Sequence, residues 1–272
     1  MSLSEMQPTV QELLDIIEQI APAALAEEWD NVGLMIGSPG AGVEKILLGL
    51  DPTLSLLAEA EKAGANLLIT HHPFIFHPLK SVWLNRPEGI FVEKAIQGRI
   101  NVIGCHTNLD NAAEGVSRSL VRLLGLEDEG PLVPAPGENG VGLGRIGSYP
   151  APVPADSFTH KLREACSPPW LLTTGNRPDT VSRVAVCGGS GSEFAPAALA
   201  AGAQVYVTGE VKHSVARWAE EAGLWLVDAG HFATERQALA PFADQLRDGL
   251  TRVGMQVEIH VSLQQEAPLC LL

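Results

Sequence analysis

Positive charge is scarce in this chain: 18 lysines and arginines stand against 32 acidic residues, a formal net charge of −14. Such an excess repels a phosphate backbone, so nucleic acid is a poor partner, while a small anion drawn to a bound metal stays compatible. Cysteine is scarce too. The four present, Cys105, Cys166, Cys187 and Cys270, form no Cys-x-x-Cys pair and fit structural thiols in a reducing compartment. No window approaches the roughly 18 apolar residues of a membrane span, and no basic segment followed by an apolar one opens the sequence. The expectation is a soluble, cytoplasmic protein. A Gly-x-Ser-x-Gly elbow is missing, no cysteine has the setting of a nucleophile, and the stretch Cys187-Gly-Gly-Ser-Gly-Ser192 fits neither Gly-x-Gly-x-x-Gly nor a P-loop.

What is present is apolar material for a sizeable core: 46% of the 272 residues are hydrophobic, enough for two domains and too many for disorder. The polar chemistry gathers in a few places. Leu67-Leu-Ile-Thr-His-His-Pro73 reads as a doubly buried strand that carries His71 and His72 at its carboxyl end and is stopped by Pro73. That end of an α/β sheet is where ligand sites form. Side chains alternate along a strand, so the two imidazoles could serve two ions, or one ion and a supporting contact, more easily than chelate one ion together. Alone, the pair reads equally well as a loop feature.

Two further strand ends answer it. Ile100 to Cys105 leads into His106 and, four residues on, Asp110; Leu224 to Val227 leads into His231 and Glu235. An imidazole and a carboxylate four apart share one face of a helical turn and can reach a common ion. Nitrogen and oxygen donors converging from different elements are what a metal site requires.

Along the chain, Thr9-x-x-Glu12 predicts a capped helix over Val10 to Ile20. Glu28 to Gly37 is a turn-rich loop around Trp29 that either shapes a site or covers a sheet edge. From Lys45 strands and helices alternate: a strand to Leu50, a helix over Thr53 to Lys62, the His-His strand, a helix over Pro87 to Gln97, a strand over Ile100 to Cys105 and a helix over Glu114 to Leu124. This rhythm predicts parallel pairing with right-handed crossovers. The stretch 127–140, rich in Gly, Pro and acids, reads as a linker. Beyond it the first half recurs, with Ala201-Gly-Ala-Gln-Val-Tyr-Val-Thr208 echoing Ala63-Gly-Ala-Asn-Leu-Leu-Ile-Thr70. The expected fold is therefore α/β: two linked three-layer modules, residues 1–127 and 128–272, with mainly parallel sheets related by a pseudo-twofold. The last helix and strand are candidates to pack on the first module.

Other candidates carry less. Cys187-Gly-Gly-Ser-Gly191, between a strand and a helix, offers amides to an anion or is a tight turn. His213 either lines the site or lies on a surface helix; His77 and His160 read as structural or exposed, and His260 sits in a final strand, Met255 to Val261, with no acidic neighbour that suggests a site.

Trp29-Asp-Asn-Val-Gly-Leu34, Thr70-His-His-Pro73, His106-Thr-Asn-Leu-Asp110, Gly188-Gly-Ser-Gly191, Thr208-Gly-Glu210 and Gly230-His-Phe-Ala-Thr-Glu235, in this order, resemble the dinuclear-metal, ring-forming family of GTP cyclohydrolase I type 2 homologues. The resemblance implies that His71, His72, Asp110, His231 and Glu235 hold two divalent ions (Zn, Fe, Mn or Ni), with Glu235 bridging. It implies a hexameric toroid with the sites facing its cavity, and hydrolytic chemistry on a nucleotide-like or other small anionic substrate. His106 lies outside the family's ligand set and is the candidate general acid or base, or a donor that orients Asp110. Glu210 stands where many relatives have Asp, which lengthens the reach of that carboxylate. The rival to an enzyme is a metal-stabilised ring that binds partners or a nucleotide without turnover.

Overall fold

The computed structural model describes residues 7–137 and 140–271. The chain begins with α1 (Val10–Ile20), whose capping box forms as its sequence predicts: Glu12 N donates to Thr9 Oγ1 at 3.3 Å and Thr9 N to Glu12 Oε2 at 2.7 Å. There follow β1 (Gly33–Ile36), β2 (Lys45–Gly49), α2 (Leu54–Ala63), β3 (Leu67–Thr70), α3 (Pro87–Gln97), β4 (Asn101–Gly104) and the short α4 (Thr107–Asn111). Next come α5 (Val116–Leu124), β5 (Glu127–Pro134), β6 (Gly142–Pro154), α6 (Ala155–Cys166), β7 (Leu172–Thr174), β8 (Thr180–Val186), α7 (Ala195–Ala200), β9 (Val205–Thr208), α8 (His213–Ala222), β10 (Trp225–Asp228) and α9 (His231–Glu235). The chain ends with α10 (Leu239–Arg252) and β11 (Glu258–Val261). Among the described residues no helix is long and apolar enough to cross a membrane.

Two compact α/β units result. Among the described residues, the first comprises 7–109 and 239–265, and the second 110–137, 140–238 and 266–271. In the first unit the sheet order is β1-β4-β3-β2-β11, parallel throughout except for β1 against β4. Every residue of β3 and β4 is buried, which explains the continuous apolar runs. Leu47, Leu68 and Val102 on one face pack with Leu56, Leu57 and Ala60 of α2 and Phe91 and Ala95 of α3; α10 contacts β2 and α1. β11 thus joins the first sheet at its β2 edge, and α10 packs beside it.

The second unit is more mixed than the sequence suggests. Its order is β5-β6-β8-β9-β10-β7, with only β8, β9 and β10 parallel. Val184, Val186, Val205, Val207, Trp225 and Val227 face α5 and α6, while Ala185, Tyr206 and Leu226 face α7 and α8. This alternation of period two around buried strands sets the three layers.

The expected linker is replaced by β5. It is the edge strand of the sheet, the position in which residues such as Pro131 and Pro134 are tolerated. Gly130, at φ +118°, makes a bulge where the register shifts, and Asp128 pairs with Arg118 and, at 3.6 Å, with Arg145. Leu132 supplies the buried contact. Residues 138 and 139, the end of the expected linker, lie outside the described residues.

Candidate metal centre

In the first unit the register of the parallel strands builds the site. Gly49 pairs with Thr70 and Thr70 with Gly104. Two residues beyond, Asp51 therefore stands beside His72, and one beyond, Cys105 beside His71. The ladder continues past the strand ends, His71 N donating to Gly49 O at 3.1 Å and Cys105 N to Thr70 O at 2.9 Å. Alternation along β3 does not extend to the histidines, because the strand ends at Thr70 and the chain bends at His71 and His72. Their rings consequently come together with that of His106: centroids lie 5.1 to 5.5 Å apart, and one nitrogen from each falls within 4.8 Å of the others.

Each imidazole is oriented through Nδ1. His71 Nδ1 donates to Cys105 O at 2.9 Å, His72 Nδ1 to Asp51 Oδ1 at 2.7 Å and His106 Nδ1 to Asp30 Oδ1 at 2.8 Å. These oxygens can only accept, so Nδ1 carries the proton and Nε2 the lone pair, the arrangement that prepares histidine for a metal. Asp30 also accepts from the Thr107 amide at 3.0 Å and the Thr107 hydroxyl. Burial opposes its ionisation most strongly, yet the hydrogen bonds from His106 and Thr107 together hold it well below the usual carboxylate range.

In the second unit α9 begins on His231 and ends on Glu235, and the four-residue spacing brings His231 Nε2 to 3.0 Å from Glu235 Oε2, close enough for both to reach one cation. His231 Nδ1 lies 3.0 Å from Glu210 Oε1. Glu210 thus orients this ring, on a backbone at φ +51° that non-glycine residues seldom adopt. Asp110, in α4, bears on the same region. Burial first, then the charge of Asp110 and later that of Glu235, push the Cys187 thiol up to about 12.

The Gly188–Gly191 loop is committed to the protein rather than to an anion. Gly188 N donates to Ser117 Oγ at 3.3 Å, Gly189 N to Thr234 Oγ1 at 3.0 Å and Gly191 N to Thr208 Oγ1 at 3.1 Å. Gly189, at φ +68°, clears room for the carboxylate: a Cβ there would overlap Glu235 Oε1 and stand 3.3 Å from His231 Nε2. His213 is the exposed first residue of α8 and lines a surface cavity with Thr173, Thr174 and Asp228. His160 and His260 pair with Glu164 and Glu258 at the surface, and His77 is exposed against Phe76.

The family model described as Duf34/NIF3 (NGG1p interacting factor 3) matches residues 8–268. The chain belongs to the Duf34/NIF3 family. Relatives named GTP cyclohydrolase 1 type 2 homolog include one from Clostridium acetobutylicum, 31% identical over 94% of this chain and 96% of its own. Another, from Streptomyces coelicolor, is 33% identical over 94% and 91%. Among solved structures, a hypothetical protein of Staphylococcus aureus superposes with a TM-score of 0.91 at 26% identity, over 98% of this chain and all of that one. Reduced HcgD from Methanocaldococcus jannaschii gives 0.80 at 29%, over 96% and 100%. In this Duf34/NIF3 chain the residues that sequence reasoning passed over are Asp51, Asp30 and the Cys105 carbonyl. Asp51 closes the apolar run of β2, and only the pairing of β2 with β3 reveals its place beside His72.

Proposed function

We propose that this Duf34/NIF3 protein is a dinuclear metal-dependent hydrolase, with His71, His72, Asp110, His231 and Glu235 as ligands, acting on a nucleotide-like or other small anionic substrate. The observation that supports it most is the preparation of the imidazoles. Histidines from three strand ends each commit Nδ1 to an accepting oxygen, which makes Nε2 the coordinating nitrogen. Glu235 adds to the fit, since its carboxylate is buried, at 3% exposed, with one oxygen 3.0 Å from His231 Nε2. When bound, divalent ions would supply Lewis acidity and a water acidified towards neutrality, and mixed nitrogen and carboxylate donors suit Zn, Fe, Mn or Ni.

The chain's own part is orientation and proton handling. Glu210, Asp51 and the Cys105 carbonyl hold three rings in place, and Gly189 leaves Glu235 its space. His106, anchored by Asp30, is the group placed to accept or return a proton at Nε2. The shared name of the relatives makes guanine nucleotides the first substrates to screen. The family resemblance further implies six copies in a ring, which a native mass of about six times the 28.9 kDa chain would verify.

The test is turnover on a panel of nucleotides and phosphoesters. Glu235→Gln should abolish it while folding and native mass persist, and undiminished turnover in that variant would remove the mechanism. Stoichiometric metal without turnover on any member of the panel would leave the non-enzymatic ring in its place.

A further inference from the structure

Beside the three imidazoles of the first unit stands a pair of aromatic rings that the metal reading does not use. Trp29 is 57% exposed and Phe76 37% exposed, although large aromatic rings ordinarily gain by burial. Their centroids are 5.7 Å apart with the planes inclined at 52°, so they form a corner rather than a sandwich. The corner closes on His106, whose ring lies 6.0 Å from Trp29 and 6.2 Å from Phe76, edge-on to both.

The exposure is enforced by the loops on either side. Asp30, next to Trp29, is held by His106 Nδ1 at 2.8 Å and by Thr107. Asn31 Nδ2 donates to Ile75 O at 2.5 Å, and Ile75 N to Met35 Sδ at 3.3 Å, which ties the Trp29 loop to the Phe76 loop. Asp30 and Asn31 are both committed to neighbouring elements, and Trp29 between their anchors and the chain before them is left at the surface. A surface aromatic on a tethered backbone loses little freedom when it binds, and two inclined faces beside polar nitrogens are the lining of a site for a flat ring.

We propose that Trp29 and Phe76 bind the planar heteroaromatic ring of the substrate, a nucleobase or a ring of that kind, and hold it beside His106. One ring stacks face to face while the other meets its edge, an arrangement that tolerates any flat π-system and selects against ligands made only of sugar and phosphate. This deepens the hydrolase reading, on which it rests for what becomes of the ring, though not for whether the ring is bound.

The experiment is equilibrium dialysis of guanosine and adenosine against the full chain as purified, with ribose 5-phosphate as the ring-free control and metal content measured on the same samples. Trp29→Ala and Phe76→Ala should each weaken nucleoside binding by about tenfold or more, with metal content unchanged, and Trp29→Phe should restore most of it. Equal nucleoside affinity in wild type and both alanine variants would overturn the assignment. So would ribose 5-phosphate binding as tightly as the nucleosides, or no saturable nucleoside binding at all. Loss of native mass in both variants at unchanged nucleoside affinity would give the rings to a subunit contact instead. Protein that took up no metal on dialysis against a divalent ion yet bound guanosine through Trp29 would refute the metal reading and keep the ring site; metal-loaded protein indifferent to Trp29→Ala would do the reverse.

Discussion

Asp51 and Glu210 carry a testable consequence of the way the imidazoles are held. Neither is among the proposed ligands, yet each fixes the tautomer and direction of one, at 2.7 and 3.0 Å. Removing such a partner typically costs about 10- to 100-fold in metal affinity. Asp51→Ala and Glu210→Ala should each weaken binding in that range, read by competition with a chromophoric chelator, without loss of the folded signal. Gly189→Ala makes a stronger demand. The backbone at φ +68° and the overlap with Glu235 require the carboxylate to swing aside, so metal content should fall, and the urea midpoint should drop by about 1–3 kcal/mol of stability. Unchanged metal in this variant would mean that Glu235 is not held where a cation needs it.

Among the elements, α1 offers a control far from the chemistry. Both hydrogen bonds of its capping box are made, so Thr9→Ala should cost about 1 kcal/mol in thermal or urea unfolding and leave metal content as it was. The same capping box, like the runs of β2, β3 and β4, was legible in the sequence because local pattern determines it: strands buried on both faces must be apolar throughout, and helices between them must be amphipathic. β5 was not legible. An edge strand has one ladder partner and needs few apolar residues, so Glu127, Glu129, Pro131 and Pro134 read as linker until Leu132 and the Asp128 ion pairs are seen. The site divides the same way. His231 and Glu235 follow from a spacing of four, whereas Asp51 beside His72, and His106 gathered with His71 and His72, depend on register between strands far apart in sequence. The alternation rule that separated His71 from His72 fails because it applies only within a strand, and β3 ends one residue earlier.

At the level of the whole molecule, buried acids of high pKa govern stability in alkali. Burial lifts Cys105 and Cys166 from 9.0 to about 12, and Cys187 and Tyr149 also reach about 12. Above about pH 9 the unfolded chain gives up these protons while the folded chain keeps them. The unfolded state then binds fewer protons, and stability falls as pH rises towards 12, by about 1.4 kcal/mol per pH unit for each thiol. Urea midpoints should be level below pH 9 and decline from there to pH 11. Cys166→Ala should flatten part of the decline, and a midpoint independent of pH across that range would contradict the burial of these groups. The acidic balance acts differently: with a net charge of −14, the anionic substrate proposed above would be drawn to the chain only by the proposed cations.

The central proposal is that His71, His72, Asp110, His231 and Glu235 hold a pair of metal ions. Elemental analysis of the full chain, purified without chelator or added metal and then dialysed against a single divalent ion, tests it most directly. About two ions per chain are expected in the wild type, with a marked loss in His72→Ala and in Glu235→Gln at unchanged thermal stability of the metal-free forms. A wild-type chain that retains none and takes up none would contradict it.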